Sequence, residues 1–344
     1  MIEAEALRAS PGWLPMRRDA SGAFTSLRLD AAGYRAASFL DERLFAEPFD
    51  QGLSTPRSLD EAAAGIGLRP HFIFHVGHVG STLMSRLLGE HAQVFSLREP
   101  LLLRSLLEPP PASPPLPTVL ALLGRTWHPG ERAIVKATSL VNALAERILA
   151  DASAGEAANP TRALFMFVDA FTYLRGILAG ENSQRETRQL APSRRRRLMR
   201  QAPALVTADE VMAVEPRTLG ELAAMNWLTE MLSLAGAAQV AGRRGYWLHF
   251  DRFLVDPLGG FAAVCRHFEL DSDPRSLRPI LAGPLMSRYS KAPQFEYDAA
   301  LRREVLQSAE TLHREELHRG LDWLGRVAAG DSGIARLLAA HARP

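Results

Sequence analysis

The stretch HFIFHVGHVGST, residues 71–82, decides the fold of this chain. Its beginning, HFIFHV, is a short and largely apolar run bounded by Pro70 and Gly77, which is the pattern of a strand buried in a parallel sheet. A glycine-rich turn follows, and the next segment, LMSRLLGEH, carries leucine and methionine at helical spacing. Strand, glycine turn and helix in this order predict the start of a βαβ unit.

Strands and helices continue to alternate along the chain. Four more short strands are predicted: QVFSL (93–97), RAIVKATS (132–139), RALFMFVDA (162–170) and GYWLHF (245–250). Helical patterns follow the strands, and residues 298–328 add further helices near the C-terminus. We therefore expect an α/β fold in which helices flank a parallel sheet and the C-terminal part is helical.

The pattern before residue 70 differs from the rest of the chain. Residues 1–69 show no long period and predict an N-terminal arm with little regular structure, apart from one helix near residues 31–45. Every later segment fits around one sheet, so we interpret residues 70–344 as a single domain. The proline-rich stretch 108–118 predicts a stiff surface connection, with a rim of the ligand site as the alternative.

Charge and composition exclude several classes of protein. The 344 residues include 40 basic and 38 acidic ones, and the net charge of +2 argues against a nucleic-acid partner. The single cysteine, Cys265, excludes a disulfide framework and a cysteine zinc site, and we expect no metal. No apolar run reaches the ~18 residues of a membrane span, and no signal peptide is recognised. We therefore expect a cytoplasmic protein without a membrane partner.

The glycine-rich turn is a candidate anion site. At the carboxyl end of a parallel strand, the start of the next helix exposes backbone N–H groups, and its dipole attracts an anion. Gly77 and Gly80 let the backbone close on a phosphate, and Ser81 and Thr82 add hydroxyl donors. A Walker A loop would need a lysine before Ser81, so a nucleotide triphosphatase is disfavoured. The alternative is a plain glycine turn with a serine N-cap.

Residues around this turn resemble the sulfotransferase superfamily. HVGHVGSTLMSRLLGEH followed by VFSLREP is similar to the family's phosphosulfate-binding loop and second strand. The similarity continues in order through IVKATS, RALFMFVDA, WLHFDRFLVDP and SRYSKAP, over about residues 70–325. It is nearest to bacterial sulfotransferase-like proteins and more distant to tyrosylprotein sulfotransferases. The resemblance implies an α/β fold of the P-loop type. It also implies transfer of a sulfuryl group from 3′-phosphoadenosine 5′-phosphosulfate (PAPS) to a hydroxyl or amine of a small-molecule or peptidyl acceptor.

The resemblance assigns the turn from Gly77 to Thr82 to the cradle of the 5′-phosphosulfate, and it places Lys136 next to the sulfate. Composition supports Lys136 independently. Of the 40 basic residues 38 are arginine, yet a lysine stands at this strand end, where a compact ammonium can approach a single oxygen. The second lysine, Lys291 in the YSKAP segment, is a candidate phosphate contact by the same argument.

Glu99 stands at the end of the second strand, where tyrosylprotein sulfotransferases carry a glutamate base. The resemblance therefore implies that Glu99 takes the proton of the acceptor. The alternative is that Glu99 only forms an ion pair with Arg98 or Arg104.

The sequence departs from the family pattern in three places. His78 stands where the family has a basic residue, and its imidazole can donate to the sulfate only when protonated or in the right tautomer. Val168 replaces the arginine that grips the 3′-phosphate of PAPS, and Gly176 replaces the serine that assists it. The neighbouring Arg175 is the candidate substitute, with a solvated helical arginine as the alternative.

These departures leave two other functions open. One is a non-catalytic protein of the same fold that binds a nucleotide or an anion, and the other is a P-loop kinase with an unusual loop. The basic run Arg194–Arg197 predicts a solvated helix surface. Neither the acceptor nor the oligomeric state follows from the sequence.

Overall fold

A computed structural model describes residues 1–19, 21–107, 114–151, 160–206, 215–292 and 294–341 of the chain. Residues 108–113 of the predicted proline-rich connection 108–118 lie outside the described residues. The last residues of that stretch are helical, because a helix begins at Leu116. Among the helices described, none combines the length and the apolar character that a membrane crossing needs.

The described strands form two sheets. The strands are β1 (Trp13–Arg18), β2 (Phe24–Arg28), β3 (Gln51–Ser54), β4 (His71–His75), β5 (Val94–Arg98), β6 (Arg132–Lys136), β7 (Ala163–Phe167) and β8 (Gly245–His249). The larger sheet is parallel and five-stranded, in the order β5-β6-β4-β7-β8. All its strands were predicted, and the predicted α/β class is confirmed. Since β4 occupies the centre, the glycine-rich turn opens in the middle of the carboxyl edge.

Helices cover this sheet and make up the C-terminal part, as predicted. They are α1 (Ala4–Ala9), α2 (Ala31–Ala36), α3 (Pro56–Ala63), α4 (Ser81–Gly89), α5 (Leu101–Arg104), α6 (Leu116–Leu123), α7 (Ala145–Asp151), α8 (Ala170–Leu178), α9 (Glu181–Gln201), α10 (Leu219–Ala241), α11 (Phe250–Val255), α12 (Pro257–His267), α13 (Pro274–Ala282), α14 (Ala299–Leu312), α15 (Arg314–Gly330) and α16 (Ser332–Ala340). Helix α10 packs against β4, β7 and β8, and α4 packs against β4, β5 and β6.

The inner strands are apolar throughout because both faces of the sheet are covered. Every residue of β4 and of β7 is buried. Two strands are shorter than predicted, since β6 ends at Lys136 and β7 ends at Phe167. The chain leaves the sheet at these points, and the residues that follow β6 line a cavity at the carboxyl edge.

The prediction of little regular structure for residues 1–69 is wrong. β1, β2 and β3 form an antiparallel sheet there, and the predicted helix near 31–45 is α2 followed by a 3₁₀ turn at Glu42–Ala46. These strands are short, and Pro15 and arginines interrupt β1, so no long alternation marks them in the sequence. β1 and β2 form a hairpin, and β3 pairs with β2 after residues 29–50, so the sheet is built from short pieces that show no long period. The division into an arm and a domain at residue 70 stays a prediction.

Two buried arginines join the arm to the rest of the fold. Arg98, which ends β5, donates from Nε to the carbonyl of Ala37 at 2.9 Å. Arg125 donates to the carbonyls of Ser10 at 2.8 Å and of Trp13 at 3.1 Å. A guanidinium has five N–H donors, so one side chain can satisfy several carbonyls of an irregular segment. The contact of Arg98 holds the arm at the carboxyl edge of the parallel sheet.

Candidate functional site

A cavity of about 620 Å³ opens at the carboxyl edge of the parallel sheet. Its walls come from the segments that follow β4, β5 and β6, from α8 and α9, and from the chain between residues 286 and 306. Eight of the nine predicted site residues line it: Gly77, His78, Gly80, Ser81, Thr82, Glu99, Lys136 and Lys291. They meet because neighbouring parallel strands end at the same edge of the sheet.

The turn after β4 is held in shape by the buried side chain of His75. Its Nε2 donates to the carbonyl of Ala137 at 2.9 Å, and its Nδ1 accepts the backbone N–H of Gly77 at 3.0 Å. Burial lowers the pKa of His75 well below its ordinary value, so the ring stays neutral, with one donor and one acceptor nitrogen. Gly77, His78 and Gly80 have φ angles of 91°, 55° and 65°. Left-handed residues in a tight turn form a concave backbone that suits an anion.

Helix α4 begins at this turn without a side-chain cap. Its N-cap residue is Gly80, and no capping hydrogen bond from a side chain is present in the described residues. The alternative of a serine N-cap is therefore wrong, since Ser81 is already the first helical residue. Thr82 is buried, and its Oγ1 has no hydrogen-bond partner in the described part of the chain. Free N–H groups and an unpartnered hydroxyl favour a ligand with acceptor oxygens.

Gly80→Ala is expected to destabilise the protein and to weaken anion binding at the turn. A Cβ on residue 80 would lie 2.1 Å from the ring of Phe250, so the ring would have to move. The left-handed φ of 65° is also unfavourable for alanine, by about 1–2 kcal/mol. Chemical denaturation measures the loss of stability, and calorimetric titration with sulfate measures the loss of affinity.

Gly176→Ala is the matched control for the stability measurement. Gly176 lines the same cavity, but no atom lies within 4 Å of a Cβ placed on it. Within α8, alanine is favoured over glycine by about 0.5–1 kcal/mol, so this variant should be at least as stable as the wild type. Wild-type stability in Gly80→Ala would show that the contact with Phe250 imposes no constraint.

Lys136 and Glu99 form an ion pair in the cavity wall. Lys136 Nζ contacts Glu99 Oε1, and the backbone N–H of Glu99 donates to the carbonyl of Lys136 at 2.7 Å. The lysine side chain is 1% exposed and the glutamate side chain 18% exposed, so the carboxylate is the more accessible partner. Burial lowers the pKa of Lys136, and the charge of Glu99 opposes this by favouring the ammonium.

The alternative partners of Glu99 are engaged elsewhere. Arg98 holds the arm, and Arg104 Nη1 lies 3.2 Å from Oε2 of Glu42. Glu99 also has a φ of 53°, which is uncommon for a residue with a side chain. Such strained residues are concentrated at functional sites, where the surrounding structure holds them in place.

His78 lies on the turn with its ring open to the cavity. Enclosure by the protein, and next the positive charge of Lys291, lower the pKa of His78. The imidazole is therefore neutral near pH 7 and can donate one N–H to an anion.

The basic run in α9 is only in part the solvated surface that the sequence predicts, because Arg194 and Arg197 are buried while Arg196 is exposed. Arg194 Nε and Arg197 Nη2 lie 2.9 and 2.5 Å from Oε1 of Glu230, and all three residues are buried. Asn142 donates to the other carboxylate oxygen of Glu230 at 2.9 Å. Two guanidinium groups face one carboxylate, so the cluster carries one surplus positive charge. Burial opposes the charge of Arg194, but Glu230 outweighs it and raises the pKa of Arg194.

Arg194 also lines the cavity, next to Ser139, to which its Nη2 donates at 3.2 Å. The sequence analysis missed this residue. A signal was present, because Glu230 stands among largely apolar residues in the middle of helix α10. A carboxylate inside such a helix needs a buried cation as its partner, and the basic run was the nearest supply of cations.

Val168 and Gly176, two of the three positions that depart from the family pattern, place no charged group in the cavity. The side chain of Val168 is buried in the core, and Gly176 lines the cavity with open space beside it. Arg175 is the predicted residue that the cavity does not include. Its Nη1 lies 2.9 Å from Oε2 of Glu310, and its guanidinium stacks over the ring of Phe171.

Part of the cavity wall is aromatic or apolar, and the sequence analysis did not predict it. Its side chains come from the arm, from α11 and from the segment between α13 and α14. They are Phe39, Phe250, Met286, Tyr289 and Tyr297. The ring centroid of Phe39 lies 5.6 Å from Lys136 Nζ. An apolar surface beside the ion pair suits a ligand with an apolar or aromatic body.

Fold and site together define an α/β protein with a cation-lined cavity at the carboxyl edge of its parallel sheet. Two solved structures are similar to it. The sulfotransferase domain from the curacin biosynthetic pathway is 14% identical with a TM-score of 0.41, and the match covers 71% of this chain and 98% of that domain. A sulfotransferase from Alicyclobacillus acidocaldarius is 15% identical with a TM-score of 0.38, and the match covers 80% of this chain and 99% of that one. No family model and no curated protein matches the sequence.

Proposed function

We propose that this protein transfers a sulfuryl group from PAPS to a hydroxyl or amine acceptor. The observation that carries the proposal is the meeting, in one cavity, of the uncapped start of α4 with the Lys136–Glu99 ion pair. The helix start suits an anionic donor, and the ion pair offers a cation and a base where the group is transferred. The resemblance of the sequence motifs is the reason for proposing a sulfuryl group rather than another anionic group.

The residues of the turn fit the phosphosulfate end of the donor. The N–H groups at the start of α4 and the unpartnered Oγ1 of Thr82 can donate to its oxygens. Lys136 and Lys291 supply positive charge from two other walls of the cavity. His78, being neutral, adds one N–H donor without adding charge.

During transfer, Glu99 accepts the proton of the acceptor while the acceptor oxygen or nitrogen forms its bond to sulfur. The bond between sulfur and the bridging oxygen of the donor breaks, and its electron pair remains on the phosphate. Lys136 would stabilise the negative charge that grows on that oxygen. The contact between Lys136 and Glu99 keeps both groups at the point of transfer before the substrates arrive.

The 3′-phosphate of the donor lacks its usual partners here. Val168 and Gly176 offer no cation, and Arg175 is paired with Glu310. We assign Arg194 to this phosphate, because it lines the cavity and its cluster carries a surplus positive charge. Arginine suits a phosphate because its planar fork can donate two hydrogen bonds at once.

The test of the proposed function is stabilisation by ligands in thermal unfolding. We expect 3′-phosphoadenosine 5′-phosphate, the donor without its sulfuryl group, to raise Tm more than ATP, GTP or sulfate at the same concentration. A ligand present at 100 times its Kd stabilises the folded state by about 2.7 kcal/mol. Thr82→Val, which removes the unpartnered hydroxyl at nearly constant volume, should reduce the shift. Thr311→Val, at an exposed position, is the control.

Each ligand pattern decides between the functions that the sequence left open. Stabilisation by sulfate but not by the bisphosphate would favour a non-catalytic anion-binding protein, which the missing 3′-phosphate partners at Val168 and Gly176 also favour. A larger shift with ATP or GTP would favour a kinase. A protein that none of these ligands stabilises would contradict the proposal.

A further inference from the structure

A second cluster of polar side chains lies beside the cavity, where β7 and β8 end. Asp169 follows β7, His249 ends β8, and Asp251 lies in the first turn of α11. One ligand atom from each residue lies within 4.8 Å of the other two. Although all three are described residues, none of them lines the cavity, so this cluster is separate from the proposed transfer site.

His249 is the member of the cluster that lacks partners. It is 7% exposed, and neither Nδ1 nor Nε2 has a hydrogen-bond partner among the described residues. A buried imidazole with both nitrogens unsatisfied is unfavourable, which points to a group that is still to be bound. His249 Nε2 lies 3.9 Å from Oδ2 of Asp169, which is too long for a hydrogen bond.

Both carboxylates are oriented by neighbours that leave them free to bind more. Asp169 accepts the backbone N–H and the hydroxyl of Thr172, each at 2.9 Å, and each of its oxygens retains a lone pair. Oδ1 of Asp251 lies 2.6 Å from Nη1 of Arg302, so its second oxygen remains for another ligand. The Asp251 side chain is 33% exposed, which gives an ion a route from solvent.

We propose that Asp169, His249 and Asp251 bind a divalent transition-metal ion such as Zn²⁺. Two carboxylates offset the charge of the ion, although Asp251 is also paired with Arg302. The imidazole favours a transition metal over Mg²⁺ or Ca²⁺, which prefer oxygen ligands. Tetrahedral Zn²⁺ with bonds of about 2.1 Å places its ligand atoms about 3.4 Å apart. The distance of 3.9 Å between His249 and Asp169 therefore has to shorten by about half an ångström, and a separation at the 4.8 Å limit of the cluster would have to shorten by about 1.4 Å. Water completes the coordination at the exposed side.

Such an ion would tie β7, β8 and α11 together. It would also hold Phe250, the residue between two of the ligands, against Gly80 at the glycine-rich turn. The bonds of Asp169 to Thr172 would serve as outer contacts that keep the carboxylate in place. The ion needs no role in sulfuryl transfer, so the proposal stands independently of the proposed function.

The test is titration of the full-length, chelator-treated protein with Co²⁺ and with Zn²⁺. We expect one Co²⁺ per chain, with the visible absorption bands of a tetrahedral or five-coordinate site, and a rise of Tm with Zn²⁺. His249→Gln and Asp251→Asn should each weaken metal binding by at least tenfold, while the absorption bands disappear. His318→Ala, at an exposed histidine far along the sequence, should bind like the wild type.

Asp251→Asn keeps the test decisive if the buried His249 variant fails to fold, because Asp251 is partly exposed. Absence of saturable binding to the wild type would overturn the proposal. Wild-type affinity in Asp251→Asn, or an equal loss in His318→Ala, would place the metal elsewhere and would also overturn it. The ligand-induced Tm shifts with 3′-phosphoadenosine 5′-phosphate report on the other site, so the two proposals can fail separately.

Discussion

Lys136→Met is expected to weaken the binding of 3′-phosphoadenosine 5′-phosphate by about 10- to 100-fold, since a hydrogen bond to a charged group contributes about 1.5–3 kcal/mol. Methionine fills the space of the buried lysine stem but removes the ammonium. Once an acceptor is known, the transfer rate should fall by about 10²- to 10³-fold, the usual cost of losing a group that stabilises developing charge. Isothermal titration calorimetry measures the first effect, and single-turnover kinetics measures the second.

Lys291→Met is the matched comparison, because it removes the other lysine of the chain. Lys291 lines the same cavity but is exposed, so its charge is screened and its loss should weaken binding less. Glu99→Gln separates the two members of the ion pair. It should lower the transfer rate, because the base is lost. It should weaken binding of the bisphosphate less than Lys136→Met, because the lysine is retained, although without the carboxylate that favours its ammonium. Equal affinities of the wild type and Lys136→Met would remove Lys136 from the site.

Glu230→Gln is expected to lower the free energy of unfolding by about 3–5 kcal/mol, because removing one partner of a buried ion pair leaves an uncompensated charge. In this chain the variant would leave two buried guanidinium groups, of Arg194 and Arg197, without their carboxylate. A loss of this size is a large part of the usual total stability of about 5–15 kcal/mol. Urea denaturation followed by circular dichroism measures it.

Glu215→Gln is the control for the Glu230 variant. Glu215 pairs with Arg195 of the same basic run, but both side chains are partly exposed, so the change should stay within about 1 kcal/mol. Adding Arg197→Met to Glu230→Gln removes one of the two unpaired charges and should restore part of the lost stability. If Glu230→Gln costs no more than Glu215→Gln, the buried cluster does not stabilise the fold.

The parallel sheet could be predicted because its signals are local. HFIFHV and RALFMFVDA are short apolar runs between turn residues, and each is followed by a helical pattern. The predicted strands agree with β4 and β7 except at the carboxyl ends, where the chain turns into the cavity. The sheet of the arm was missed because its strands are short and irregular, with a shift of register within β1.

Most residues of the candidate site could be predicted from the sequence, but the contacts between them could not. Strand ends placed Glu99 and Lys136 at one edge of the sheet, yet their ion pair depends on the pairing of β5 with β6. Arg175 was chosen because it adjoins Gly176 in the sequence, but it turns away to Glu310. Arg194 was missed because its burial depends on Glu230, 36 residues later in the chain.

The sequence by itself determined the α/β class, the place of the candidate anion-binding turn and the identity of most residues around it. These features depend on periodicity, on glycines and on the rule that ligands bind at the carboxyl ends of parallel strands. The tertiary structure alone decided which charges meet: Lys136 with Glu99, and Arg194 with Glu230. The reason is physical. Apolar burial follows a repeating pattern along the chain, whereas the partner of a buried charge is set by distance and desolvation, which become definite only when distant segments pack together.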